Sequence, residues 1–170
     1  MALSWLIGWL SLMAVANDSR PDLLQMAAAQ GIREISSDSN KVFLYTFTRH
    51  GQFHKTLVLT AGTMFQTSII KPGPARCVSL LAAMPFNLGD GAGLTILLTN
   101  ETRRTEALRL YLDPAHIRAH RAWITIRLEI PEGMDHFILQ FDVNAGPRGD
   151  YTADWIGLAA GGDAGCLLAE

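Results

Sequence analysis

The adjacent residues Asp154 and Trp155 combine two side-chain types that can hold a sugar together. A carboxylate can accept a hydrogen bond from a sugar hydroxyl while an indole ring stacks on the sugar. The pair also has a structural interpretation, which the sequence favours: the Trp plugs one end of a β-sandwich and the Asp caps a turn. Asp154 and Trp155 are nevertheless candidate ligand-binding residues.

Asp90, within the glycine-rich stretch GDGAG at 89–93, is the third candidate ligand-binding residue. The stretch lacks the Lys and Ser/Thr of a phosphate-binding loop, and a strand rather than a helix follows it, so we interpret it as a glycine-permitted turn. Asp90 could also contribute to a structural calcium site. Asp142, Asp150 or Asp154 would supply further oxygens, although no short ladder of ligands is present. No other cofactor is predicted.

Two histidines, His116 and His120, are spaced four apart and would share one face of a helix. Such a pair can ligate zinc, but no Glu follows in the HExxH pattern and no third ligand is near in sequence. Asp113 followed by Pro114 is typical of a helix start, which would leave both histidines in solvent. The sequence therefore predicts no metal site here.

Nucleophilic catalysis has no visible basis in the sequence. Ser68 and Ser79, which lie in the predicted β domain, are both outside a GxSxG pattern. A carboxylate pair for glycoside hydrolysis depends on a separation that sequence does not show. We predict no catalytic residue, and a small hydrolase remains the third functional alternative.

The two cysteines, Cys77 and Cys166, are far apart and have no CxxC partner, which disfavours zinc. They could form a disulfide in an oxidising compartment if the final strand returns beside the strand that Cys77 opens. The alternative is a pair of buried thiols.

Residues 1–16, MALSWLIGWLSLMAVA, form an uncharged apolar segment followed by a polar run. The segment is shorter than the roughly 20 residues of a comfortable membrane-spanning helix, and it ends in the small-x-small pattern that signal peptidase reads. We interpret it as a signal peptide or a retained membrane anchor. Other interpretations are the end of the last helix of a larger membrane protein and a buried helix of a cytosolic domain. The first two place the remaining chain outside the cytoplasm, whether secreted, periplasmic or membrane-anchored.

Residues 17–40 resemble a linker with a short helix, which Ser19 could cap and Gly31 could end. From residue 41 to 170 the apolar pattern changes to a period of two, which is typical of strands with one buried face. The strands we predict span residues 41–48, 53–60, 76–83, 94–99, 106–112, 123–130, 137–143 and 155–158. Turns rich in Gly and Pro separate them. The fold class is therefore all-β, a jelly-roll β-sandwich preceded by an N-terminal apolar helix and a short linker helix.

Three stretches in order carry a resemblance to a known family: MPFNLGDG at 84–91, LDP at 112–114 followed by RAW at 121–123, and VNAGP at 143–147 with DWIGL at 154–158. Together they resemble the galactose-binding-like jelly rolls of the NPCBM type. Such domains occur on secreted glycosidases and as soluble tails of bacterial membrane proteins. The resemblance implies a jelly-roll fold and, in many members, carbohydrate binding; some members hold a structural calcium ion.

Composition restricts the partners. The chain has 170 residues, 49% of them hydrophobic, and a net charge of -2, with acidic and basic residues mixed along it. This balance argues against a nucleic-acid partner, which normally requires a basic face. We predict a non-catalytic extracytoplasmic domain for recognition or assembly, with a glycan or an envelope protein as partner. The alternative is a structural periplasmic or lumenal subunit of a membrane complex, associated with the membrane through residues 1–16 if these are not cleaved.

Overall fold

A computed structural model describes residues 22–32, 42–149 and 153–168 of the chain. One helix and nine strands make up these ranges, joined by turns and a short 3-10 helix at Arg118–Arg121. In chain order the elements are α1 (Leu23–Ala29), β1 (Val42–Arg49), β2 (Gln52–Thr60), β3 (Thr63–Gln66), β4 (Cys77–Ala83), β5 (Ala92–Thr99), β6 (Arg104–Leu112), β7 (Ile124–Glu129), β8 (Ile138–Ala145) and β9 (Trp155–Ala160).

The strands form two antiparallel sheets, one in the order β1-β2-β9-β4-β7 and the other in the order β3-β8-β5-β6. One apolar core joins the sheets: Leu57 and Leu158 from the five-stranded sheet share it with Ile96 and Phe141 from the four-stranded sheet. The predicted all-β class is therefore confirmed, and the two sheets are those of a β-sandwich. The predicted N-terminal apolar helix lies outside the described residues.

The eight predicted strands all exist, with ends shifted by a few residues. The β1–β2 hairpin turns at His50 and Gly51, both with positive φ (48° and 78°), as a two-residue hairpin turn requires. The prediction missed β3, because only Phe65 of its four residues is a large apolar side chain turned into the core.

The helix α1 belongs to the packed domain. Leu23 and Ala27, which lie within the predicted linker at 17–40, are fully buried in the main core. The helix begins later than predicted because Asp22, rather than Ser19, is its N-cap and accepts the backbone N–H of Leu24 at 2.8 Å. Gly31 follows its end with a φ of 81°, as predicted for a helix stop.

A second, smaller cluster covers the outer face of the five-stranded sheet. We call it the aromatic cluster: Phe43, Phe47, Phe86, Trp123 and Trp155. The β1–β2 hairpin reaches across this face, since the indole N–H of Trp123 donates to the carbonyl oxygen of Gln52 at the hairpin tip (3.1 Å). This sheet therefore has apolar packing on both sides.

Candidate functional site

The outer face of the four-stranded sheet is polar, in contrast to its inner face. Along β5, Leu94, Ile96 and Leu98 are fully buried in the core, so the alternate residues Gly93 and Thr95 face outward. β8 follows the same rule, with Phe141 and Val143 inside and Asp142 and Asn144 outside. The outer face therefore carries a row of hydrogen-bonding side chains on its central strands.

A β-bulge in the edge strand β6 adds a wall to this face. The register pairs Leu97 with Glu106 and Ile96 with Leu108, so that Ala107 is an extra residue on β6. An extra residue reverses the alternation of side chains beyond it. As a result, four β6 residues oppose outward-facing positions of β5 and all turn to the same side: Arg104, Glu106, Arg109 and Tyr111.

These side chains enclose a groove. One section has a volume of about 430 Å³, and a neighbouring section of about 420 Å³ shares Thr95, Arg109 and Asn144 with it. The β pairings place Asp142, Thr95 and Arg109 in one row across the sheet. We define the polar groove by Gly93 on its floor and by Met64, Thr95, Arg104, Glu106, Arg109, Tyr111, Asp142 and Asn144 around it.

Some polar groups of the groove are already engaged, and others are available to a ligand. Arg109 pairs with Glu106 at 2.7 Å, and the side-chain amide of Gln140 donates to both carboxylate oxygens of Asp142 at 2.9 and 3.0 Å. The side chains of Thr95, Arg104 and Asn144 make no hydrogen bond or ion pair within the described ranges. Arg104 and Asn144 are also exposed to solvent.

Tyr111 forms the end of the groove and is held by the turn at 89–91. Its hydroxyl donates to the backbone carbonyl of Asp90. Gly91, at a φ of 90°, lies under this hydroxyl, and a Cβ there would come within 2.5 Å of it. Burial raises the pKa of Tyr111 above its usual 10.0, and the negative charges of Asp113 and Asp90 raise it further. The ring is therefore fixed and its hydroxyl is held protonated.

The two candidate aspartates lie beneath the end of the groove, in the interior. Asp90 is 6% exposed, and its carboxylate accepts the backbone N–H of Arg148. Asp154 is fully buried, and its carboxylate accepts the N–H of Gly146 at 3.2 Å. A Cβ on Gly146 would lie 2.6 Å from the carboxyl carbon of Asp90, so this turn packs directly on the aspartate. The structure thus brings both aspartates together as supports for the loops beside Asn144.

Trp155, the remaining candidate, is not brought together with Asp90. Its ring lies in the aromatic cluster on the other sheet, with ring centroids 5.3 Å from Phe43 and 5.2 Å from Phe86. The indole and the carboxylate of Asp154 therefore contact different parts of the molecule.

The described residues contain no group of three or more His, Cys, Asp or Glu side chains placed to hold a metal ion. Asp90 and Asp154 are close together, but Asp142 faces outward in the polar groove and Asp150 lies outside the described ranges. The Oδ1 atom of Asp90 is buried and has no hydrogen-bond partner in this part of the chain. Calcium binding therefore stays a prediction that rests on Asp90 and its neighbours.

The two histidines surround Asp113 instead of facing a common ligand. The Nδ1 of His116 lies 2.9 Å from Oδ1 of Asp113, and the Nδ1 of His120 accepts the backbone N–H of Asp113 at 2.9 Å. The segment forms a turn and a four-residue 3-10 helix, so the predicted helical face is absent from it. Burial acts to raise the pKa of Asp113, but the hydrogen bonds from His116 outweigh burial and lower it below its usual 3.8.

The two cysteines form a disulfide bond, with both residues buried. The bond fixes the segment after β9 beside β4, where Leu167 also pairs with the backbone of Cys77 and Ser79.

The sequence indicates the cysteine pair but not the polar groove. The alternation in β5 and β8 could have indicated Thr95, Asp142 and Asn144, whereas the bulge carries no local sequence signal.

Among the described residues, no helix has the length and apolar character needed to cross a membrane. Comparison with known proteins found no protein-family model that matches the chain and no curated protein with significant similarity to it.

Proposed function

We propose that this chain is a non-catalytic, extracytoplasmic recognition domain that binds carbohydrate in the polar groove. The bulge in β6 is the observation that carries the proposal. It turns Arg104, Glu106, Arg109 and Tyr111 toward the same side as Asp142 and Asn144, and bulges are often found where a strand must re-aim side chains at a site.

The chemistry of the groove suits a sugar, which presents many hydroxyl groups and a weakly apolar ring face. Thr95, Asn144 and Arg104 offer donors and acceptors that have no partner among the described residues, while Tyr111 offers a ring held at its hydroxyl end. Strands carry these groups, so little backbone entropy is lost when a ligand binds.

Two further observations support a place outside the cytoplasm. Disulfide bonds persist mainly in oxidising compartments, and Cys77 is bonded to Cys166. The apolar segment at residues 1–16 ends in a pattern typical of exported proteins. The two antiparallel sheets are also compatible with the NPCBM-type jelly roll that the sequence motifs resemble.

A glycan array followed by calorimetry on each hit tests the proposal. We expect the wild-type chain to bind at least one oligosaccharide class, and Asn144→Ala to weaken that binding at least tenfold, which corresponds to about 1.4 kcal/mol. Asn144 is exposed and its side chain has no partner in the part of the chain that the structure describes, so we expect its truncation to leave the fold intact. Thr125→Ala is the matched control, because Thr125 is exposed on the opposite sheet.

Absence of any glycan ligand, or equal binding by Asn144→Ala and wild type, would contradict the proposal. If the chain bound no glycan but co-purified with a membrane assembly, the alternative of a structural subunit would replace it.

A further inference from the structure

We infer that the polar groove selects an acidic oligosaccharide, with Arg104 receiving a sugar carboxylate. This inference rests on the proposed function and adds the chemical class of the ligand. The observation behind it is the guanidinium of Arg104, which lines the groove and forms no ion pair within the described ranges.

The four charged residues of the groove differ in their partners. Glu106 and Arg109 neutralise each other through the 2.7 Å ion pair, while Asp142 keeps its negative charge and accepts two hydrogen bonds from the neutral amide of Gln140. Arg104 has no ion pair or hydrogen bond within the described ranges. A ligand that reaches Arg104 therefore meets a guanidinium without an ion-pair partner among the described residues, and such a group favours an anion.

The bulge is what gives Arg104 access to the groove. Arg104 lies opposite Thr99, and Tyr111 lies opposite Gly93, at the other end of the groove. Without the extra residue at Ala107, Arg104 and Glu106 would turn to the face opposite that of Arg109 and Tyr111. The two ends are six residue steps apart along β5, from Gly93 to Thr99, a distance of about 20 Å at the usual rise of a strand. That length suits a short oligosaccharide rather than a single sugar.

The guanidinium fork favours a carboxylate, because its parallel N–H groups match the two oxygens of the anion. A single cation of this kind is too little for nucleic acid, whose binding requires several phosphate contacts. At the floor, Gly93 leaves room for a ring to approach the backbone between Tyr111 and Asn144. A uronate-containing oligosaccharide satisfies all of these features.

The test compares uronate oligosaccharides (of galacturonate, glucuronate and mannuronate) with the methyl esters of the same compounds, which lack the charge. We expect the wild-type chain to bind one of the acids at least tenfold more tightly than its ester, and this difference to shrink as salt is added. In Arg104→Gln, the acid and its ester should bind within twofold of each other. Arg127→Gln is the control of equal charge change, because Arg127 is exposed on the other sheet, where it pairs with Glu129.

The outcomes separate the two proposals. Equal binding of acids and esters to the wild-type chain would overturn the inference and leave carbohydrate binding intact. Equal or tighter binding of an oligosaccharide that carries sulfate groups and no carboxylate would overturn the assignment to a carboxylate. Loss of the acid preference in Arg127→Gln would overturn the role of Arg104. Failure of every oligosaccharide, charged or neutral, would overturn the proposed function and the inference with it.

Discussion

Tyr111 shows how a single side chain connects the interior to the groove. Its ring borders the groove, while its hydroxyl donates to the carbonyl of Asp90 above Gly91. Asp90 in turn holds the turn that carries Arg148. Asp90 and Asp154, two of the three residues that the sequence indicates as ligand-binding, therefore support the groove from below, through Tyr111 and the loops.

Replacing Tyr111 by Phe should lower the free energy of unfolding by about 1 kcal/mol, because one part-buried hydrogen bond is lost. The pKa of Tyr111 is raised in the folded state, so its contribution is present below pH 10.0 and is lost as the pH rises through the higher folded value. Urea unfolding from neutral to strongly alkaline pH should show the two proteins converging only in the alkaline range.

Tyr45→Phe is the matched control for this measurement. The hydroxyl of Tyr45 makes no hydrogen bond within the described ranges, and its side chain is 39% exposed. A stability loss as large in Tyr45→Phe as in Tyr111→Phe would contradict the role of the Tyr111 hydroxyl.

At the scale of elements, the β1–β2 hairpin is the piece whose placement the sequence could not show. Its strands and its turn followed from alternation and from the RHGQ sequence at 49–52. Its β2 strand pairs with β9 through residues 57–60, and the rest of the hairpin continues across the outer face of the sheet. There Arg49 donates to the carbonyl of Met84 at 2.6 Å, and the ring of Phe47 stacks on Trp123 at 4.8 Å.

Gly157 is the contact point between this hairpin and β9. A Cβ at Gly157 would lie 2.6 Å from the ring of Phe47, so Gly157→Ala should destabilise the chain by about 1–3 kcal/mol through overpacking. Replacing the ring of Phe47 with the smaller leucine side chain, in the double variant Gly157→Ala/Phe47→Leu, should recover part of that loss. The coupling energy of the double-mutant cycle, measured by urea unfolding, tests this expectation.

Gly93→Ala provides the comparison, because a Cβ there would meet only Asn144, at an ordinary contact distance of 3.8 Å. We expect no loss of stability in that variant. If both glycine variants cost the same, or if the two substitutions at Gly157 and Phe47 were simply additive, the close packing of the hairpin on β9 would be refuted.

For the whole molecule, the disulfide between Cys77 and Cys166 links residues 89 apart in sequence. Closing a loop of this length restricts the unfolded chain, and its removal should cost about 2–5 kcal/mol. We expect a reducing agent to lower the urea midpoint of the wild-type chain by a corresponding amount. The same agent should have no effect on Cys77→Ala/Cys166→Ala, whose midpoint should match that of the reduced wild type.

An unchanged midpoint on verified reduction of the wild-type chain would contradict this expectation. Mass spectrometry before and after alkylation verifies the redox state of both cysteines in each sample.

The strands, the glycine turns and the fold class could be read from the chain, because alternation of apolar residues and turn chemistry are local properties. Three features could not. Burial of Asp90 and Asp154, the course of the hairpin over Gly157, and the bulge at Ala107 all depend on the partner that each segment meets in space. The pair Asp154 and Trp155 illustrates the difference: its residue types indicated sugar chemistry, yet packing turned the carboxylate inward and the indole toward the other sheet. The groove lies elsewhere, on a face assembled by one extra residue in an edge strand.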